Sequence, residues 1–253
     1  MDVVDLRKFY TTPLGDTARE LIARHLRQLE RPPRDARVLG LGFAAPWLDG
    51  YRRHGREVFS FMPAHQGIIH WPEKGPSASA LVDETALPLG DGSIDYALVA
   101  HGLELTQHRP AMLSELWRVL APQGHAVFIV PNRRGMWARM DTTPFGHGRP
   151  FSRRQLEKRL AEAMFKPVRY QPALFVPPVQ KSFFLRSARA WEKLGGAFWQ
   201  GFSGLVIIEA IKQVYAVRPK RQTAPVFPGL RPAALPGAAP GSARAASRAR
   251  RPS

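Results

Sequence analysis

The feature that most constrains this chain is a series of short apolar runs with almost no polar interruption. Arg37 to Leu41, Glu57 to Met62 with VFSF at its heart, SALV at 79–82, DYALVA at 95–100 and HAVFIV at 125–130 follow one another through the first half. A strand with one wet face alternates apolar and polar residues. A strand covered on both faces reads as a near-continuous apolar run. Helical patterns or long connections separate these runs, as parallel strands require. The right-handed crossover rule then predicts an α/β fold, a doubly wound, mostly parallel Rossmann-like sheet that binds ligands at the carboxyl ends of its strands.

The connecting helices can be placed from their caps. Asp16 is a favourable N-cap, so the first helix is expected to begin there, with Leu21, Ile22, His25, Leu26 and Leu29 on one face and Pro32-Pro33 at its end. Proline at the first helical position predicts a short helix after Pro46. Pro110 to Leu120 carries Leu113, Leu116, Trp117 and Leu120 at helical spacing, closed by Pro122 and Gly124. Ser152 with Gln155 forms a capping box, opening a helix to about Met164. Beyond it, a strand at 168–176, a helix at 182–194 and a strand at 204–215 are expected. No clean helical crossover joins those two strands, which predicts an antiparallel finish to the sheet.

Composition narrows the function classes. The 253 residues contain no cysteine, which excludes disulfides and thiolate metal ligands. The N-terminus has charges where a signal peptide has its apolar run, and LVIIEAI is too short to span a bilayer. The expectation is a cytoplasmic protein without a transmembrane segment. The formal charge is +17, but from Arg218 onward there are eight basic residues and no acid. That stretch is rich in Pro, Ala, Gly and Ser and reads as a disordered basic tail (218–253) behind a folded domain (1–217). Nucleic acid or an anionic surface would meet the protein through this tail.

Three stretches carry a resemblance to a known family. VDETALPLGDGSIDYALVAHGLEL (82–105) is similar to a run of acid, leucine-proline, turn, strand-opening aspartate and a His-containing loop. LSELWRVLAPQGHAVFIVPN (113–132) resembles a helix-turn-strand of the form E-x-x-R-V-L-x-P-G-G, with Gln123 in place of the first glycine. VLGLGFAAPWL (38–48) stands at the cofactor loop. On these residues the chain resembles the class I S-adenosylmethionine-dependent methyltransferases of the small-molecule type. The likeness covers roughly Arg37 to Val130, with weaker support from Ser152 to Ala216. PNRRGMWARMDTTPFGHGRPFS and FYTTPLG are similar to bacterial proteins described only as methyltransferase-like.

The resemblance implies S-adenosylmethionine as cofactor and a small-molecule methyl acceptor, and it can be tested position by position. The family loop runs acid-x-Gly-x-Gly-x-Gly. Here the acid falls at Gly40, the first glycine at Gly42, the second at Ala44 and the third at Pro46. The ribose-gripping acid falls at Met62. Asp83 matches the acid that meets the adenine amino group. Gly40, Gly42, Phe43, Ala44, Met62, Asp83 and His101 are therefore the expected cofactor contacts, in a weakened site. Ser60, His65 and Gln66 are the polar groups near the vacated ribose position. His101, His147 and Tyr10 are the catalytic candidates: histidine as a base for an acceptor that must lose a proton, Tyr10 as a cap on the pocket. His101, Glu104 and His108 lack metal-ligand spacing, and no metal is expected. Arg133, Arg134, Arg139, Arg149, Arg153 and Arg154 follow the fifth strand, where an anionic small substrate or an acidic protein partner would suit them. The competing readings are a methyltransferase-like protein that has lost catalysis and serves as a binding or regulatory partner, and a basic nucleic-acid-associated protein.

Overall fold

Seven strands form one sheet, in a computed structural model that describes residues 1–214. Their order is β3-β2-β1-β4-β5-β7-β6, with β1 at Arg37–Gly42, β2 at Glu57–Pro63, β3 at Ser79–Val82, β4 at Ile94–Ala100, β5 at Leu120–Pro131, β6 at Phe165–Ala173 and β7 at Leu205–Lys212. The first five strands are parallel. Leu39 stands opposite Phe59 on one side and Ala97 on the other. β7 runs antiparallel to both β5 and β6. The doubly wound sheet with its antiparallel finish is thus as the apolar runs predict. The tail expected from residue 218, and the domain boundary before it, lie outside the described residues.

The continuous apolar runs are explained by layers on both faces. Val38, Leu98, Val127 and Ile207 face one core, shared with Leu21, Ile22 and Leu48 of the helices α2 (Pro13–Leu26) and α3 (Ala45–Arg52). Leu39, Leu41, Val99 and Phe128 face the other, under α4 (Arg109–Val119) and α5 (Arg153–Glu162). Each side chain of this kind, fully buried, contributes on the order of 1.5–3 kcal/mol.

Several local expectations are corrected. The helix expected from Asp16 begins earlier: Thr12 is its N-cap, accepting from the Gly15 N–H, and Asp16 lies in the first turn. A preceding helix, α1 (Val3–Tyr10), escapes the pattern because its cap, Asp2, lies at the chain's start. The helix expected at 182–194 breaks at Ser187 into α6 (Ser182–Arg186) and α7 (Ala188–Phe198). β6 lies about three residues earlier than 168–176. The Ser152–Gln155 capping box is present in full. Gln123 sits at φ 62°, so the position where the resembled family has glycine does require left-handed backbone.

Candidate active site

The strand order reverses between β1 and β4, and the crevice at such a switch point is where open α/β sheets bind ligands. The ends of these two strands are tied together. Gly42 adopts φ 83°, and a Cβ there would stand 2.3 Å from the Ala100 carbonyl oxygen. The next amide, Phe43 N–H, donates to that same oxygen at 2.7 Å. Gly42 is therefore required by the close approach of β4. Gly40 answers to a different neighbour: a Cβ there would meet Leu48 of α3 at 2.5 Å. Ala44, fully buried, packs in the same turn.

Above this turn sits a buried cluster drawn from distant parts of the chain. Tyr10 Oη lies 2.7 Å from His101 Nε2. The Tyr10 ring stacks on Phe43 with centroids 5.8 Å apart and meets Trp47 edge-on at 5.5 Å. Phe145 lies 4.9 Å from the His101 ring. His101 itself takes φ 50°, a left-handed conformation that a non-glycine residue adopts only when its surroundings over-determine it. The Gln66 side-chain amide donates to the His101 carbonyl, and Gln66 O accepts from Val3 N–H, which seats α1 over the crevice.

Behind His101 stands Glu104, 1% exposed, with Oε1 3.4 Å from His101 Nδ1. That separation is in ion-pair range but is not aligned as a hydrogen bond, and neither carboxylate oxygen has a hydrogen-bond partner among the described residues. Ser60 Oγ is buried and likewise unpartnered. Burial first, and the charge of Glu104 second, hold the Tyr10 hydroxyl well above the ordinary phenol value. Tyr10 therefore keeps its proton, and its hydroxyl shares a hydrogen bond with Nε2, while Nδ1 faces Glu104 without a hydrogen-bond partner among the described residues.

The other expected residues are placed apart from this cluster. Met62 is fully buried, and its Sδ accepts from Ile69 N–H at 3.4 Å. Asp83 caps a turn, accepting from Thr85 N–H at 2.8 Å and from the Thr85 hydroxyl at 2.6 Å. These bonds pull its carboxyl below the ordinary value. It lines a cavity of about 430 Å³ with His65, Glu84, Thr85 and His108. His147 makes a local bond to the Asp141 carbonyl at 3.0 Å. The sequence presents Glu104 only within a set that lacks metal-ligand spacing, and it does not single out Phe145. The carboxylate three residues beyond His101 was the available signal. At the opposite end of the sheet, Glu30, His125 and Glu209 hold donor atoms within 4.8 Å of one another. The His125–Glu209 pair at 3.0 Å accounts for two of these three groups.

The model of the methyltransferase domain family matches residues 14–170. The chain belongs to the methyltransferase domain family. A search of curated proteins finds no match. Among solved structures, this methyltransferase domain is similar to a possible histamine N-methyltransferase of Thermotoga maritima, with TM-score 0.58 and 15% identity over 83% of this chain and 96% of that one. A methyltransferase of Archaeoglobus fulgidus gives 0.55 and 20% over 77% and 94%. The geranyl diphosphate C-methyltransferase of Streptomyces coelicolor gives 0.54 and 15% over 77% of each chain. At these identities the shared property is the fold, a class I Rossmann-like sheet. No helix among the described residues is long and apolar enough to cross a membrane.

The residues present fit a cationic cofactor in chemistry. A buried carboxylate without hydrogen-bond donors, Glu104, stands behind a His101 that meets the rings of Tyr10 and Phe145, with Phe43 and Trp47 packed on Tyr10. Aromatic faces and an unpaired carboxylate are what a desolvated sulfonium or ammonium group needs. The loop acid and the ribose acid have no counterpart at Gly40 and Met62.

Proposed function

We propose that the protein is an S-adenosylmethionine-dependent methyltransferase of the cytoplasm, formed by a domain over residues 1–217, that acts on a small-molecule acceptor. The observation that carries this reading is the buried Tyr10–His101–Glu104 series at the carboxyl ends of β1 and β4. When bound, the cofactor supplies a methyl group already activated on a sulfonium, so the protein's work is positioning, exclusion of water and removal of a proton from the acceptor.

His101 is the base. Its Nε2 is the ring nitrogen free of a proton, and it takes the acceptor's proton once Tyr10 gives way. The Glu104 carboxylate faces the Nδ1–H, orients the ring and favours the imidazolium that forms. Tyr10 and α1 close the crevice, which excludes water. His147, on the turn beyond β5, is assigned to the acceptor side. Gly40, Gly42, Phe43 and Ala44 shape the loop under the cofactor. Asp83 and the cavity beside it take the adenine end, and Met62 forms an apolar wall in place of the ribose clamp.

One set of contacts favours the second reading, a methyltransferase-like binding or regulatory protein without catalysis. The Phe43 amide is spent on Ala100, and Tyr10 fills the space above it. Calorimetric titration of the folded protein with S-adenosylmethionine and with its demethylated product separates the two. Binding of both in the micromolar range is expected. Absence of binding to millimolar ligand would remove the enzyme reading and leave the second.

A further inference from the structure

On the sheet face opposite α2 and α3, a groove of about 800 Å³ runs between α4 and α5. Its floor is apolar, with Leu113, Trp117 and Phe151 among its lining residues, and its walls carry Arg109, Arg133, Arg149 and Arg159. The four guanidiniums come from three separate regions: α4, the connection between β5 and α5, and α5 itself. Only Arg133 and Arg149 belong to the basic run that the sequence singles out after β5. Arg153 of that run turns away, pairing with Glu157 at 2.7 Å and lying over the Tyr170 ring.

The charges in the groove are poorly balanced. Among the described residues Glu162 is the single lining carboxylate, and it pairs with Arg159 at 3.0 Å. Arg133 and Arg149 have no acidic partner among the described residues. Arg109 donates from Nε to Leu103 O at 3.0 Å and from Nη2 to Glu104 O at 3.1 Å, and it lies over the Phe151 ring at 5.6 Å. These contacts fix its plane and leave Nη1 uncommitted. Burial, and then the positive charges of Arg149 and Arg159, lower its proton affinity from the ordinary value. Like charges gathered on a concave apolar floor are unfavourable until an anion joins them.

We propose that this groove is a binding site for a small amphiphilic anion, a diphosphate group carried on an apolar or aromatic body. Guanidiniums recognise phosphate oxygens bidentately, and an ammonium cannot reproduce that geometry. The floor of Leu113, Trp117 and Phe151 takes the body of the ligand. The volume lies inside the range of small-molecule clefts, roughly 300–1,000 Å³. The proposal does not depend on methyl transfer, although the groove adjoins the Tyr10–His101 cluster at Glu104, whose backbone carbonyl accepts from Arg109.

The test is calorimetric titration of the full chain, without other ligands, at low salt. The probes are inorganic pyrophosphate, adenosine diphosphate and geranyl diphosphate, which separate the head group from an aromatic and an aliphatic body. Saturable binding is expected, with at least one bodied diphosphate about tenfold tighter than pyrophosphate. The exposed pair Arg133→Glu and Arg149→Glu should weaken it at least tenfold. Arg52→Glu with Arg53→Glu, an equal charge change at the exposed end of α3, should leave it unchanged. Thermal unfolding of both variants establishes that they are folded. Absence of saturable binding, an unaffected Arg133/Arg149 variant, or equal losses in the two variants overturns the proposal. Equal affinity for all three probes overturns the role of the apolar floor.

Discussion

Tyr10 Oη and His101 Nε2 lie 2.7 Å apart although 91 positions separate them in sequence. The bond joins the last residue of α1 to the first residue after β4, across the crevice where the strand order reverses. Tyr10→Phe keeps the ring on Phe43 and removes only the donor. His101 Nε2 is then a buried polar atom that has lost its hydrogen-bond partner, which costs about 1–3 kcal/mol. Thermal unfolding should show the loss. If α1 is the closure over the crevice, the same variant binds S-adenosylmethionine more tightly than the parent. An unchanged melting temperature would show that the bond contributes nothing to seating α1.

Gly40 and Gly42 are two residues apart in the same loop, yet they have different neighbours. Gly42→Ala puts a side chain at φ 83° and drives it into the backbone oxygen of Ala100, which cannot retreat without parting β1 from β4. Gly40→Ala meets the flexible end of Leu48 and the Ala44 methyl at 3.0 Å. Denaturant unfolding should therefore rank Gly42→Ala as the costlier by about 1–3 kcal/mol, the scale of backbone strain plus overpacking. Equal costs would mean that the β1 turn is softer than its contacts imply.

The sheet was legible because burial on both faces leaves a one-dimensional trace: DYALVA and HAVFIV need no partner to be read as strands. The helix starts were less so. Asp16 is as good a cap as Thr12, and what favours Thr12 is that Pro13 fits the first turn and Gly15 packs against the Phe9 carbonyl. The candidate site was partly legible. His101 could be found from its place after β4. Its link to Tyr10 depends on a tertiary path through α1, and the burial of Glu104 depends on the loops that cover it. The sequence puts Met62 at the vacated ribose position. The structure adds that it is fully buried, so a carboxylate placed there would lack a partner and destabilise the fold before it could serve a ligand.

Glu104 offers a trade between stability and binding. Its carboxylate is buried and lacks hydrogen-bond donors, a costly arrangement for a charge. Glu104→Gln removes the charge at nearly constant volume. The variant should be more stable by about 1–3 kcal/mol and should bind S-adenosylmethionine at least tenfold more weakly. A variant that is less stable and binds equally well would assign Glu104 to structure alone.

Glu192 gives the protein a pH-dependent weakness away from the crevice. Its Oε1 accepts from Leu174 N–H at 2.7 Å, and its Oε2 lies 4.0 Å from His25 Nε2. Burial is the largest influence and pushes the carboxyl up to about 7 from the ordinary 4.5, against the opposing backbone donors of Leu174 and Phe175 and the charge of Arg24. Burial likewise lowers His25, so that ring does not supply a lasting counter-charge near neutrality. The folded state thus holds its proton to higher pH than the unfolded chain does. Below about pH 4.5 both states are protonated and the group is neutral to stability. Between about 4.5 and 7 the unfolded chain ionises first and folding loses free energy, and above 7 the loss is complete. One pKa unit corresponds to about 1.4 kcal/mol, so the ceiling is about 3 kcal/mol. Glu192→Gln keeps an oxygen for the Leu174 amide and removes the ionisation. Its melting temperature should match the parent's at pH 4 and exceed it by several degrees at pH 8. A gap that is constant across this range would mean that burial does not raise the Glu192 carboxyl above its unfolded value, and a gap that closes as pH rises would mean that the fold favours its ionised form.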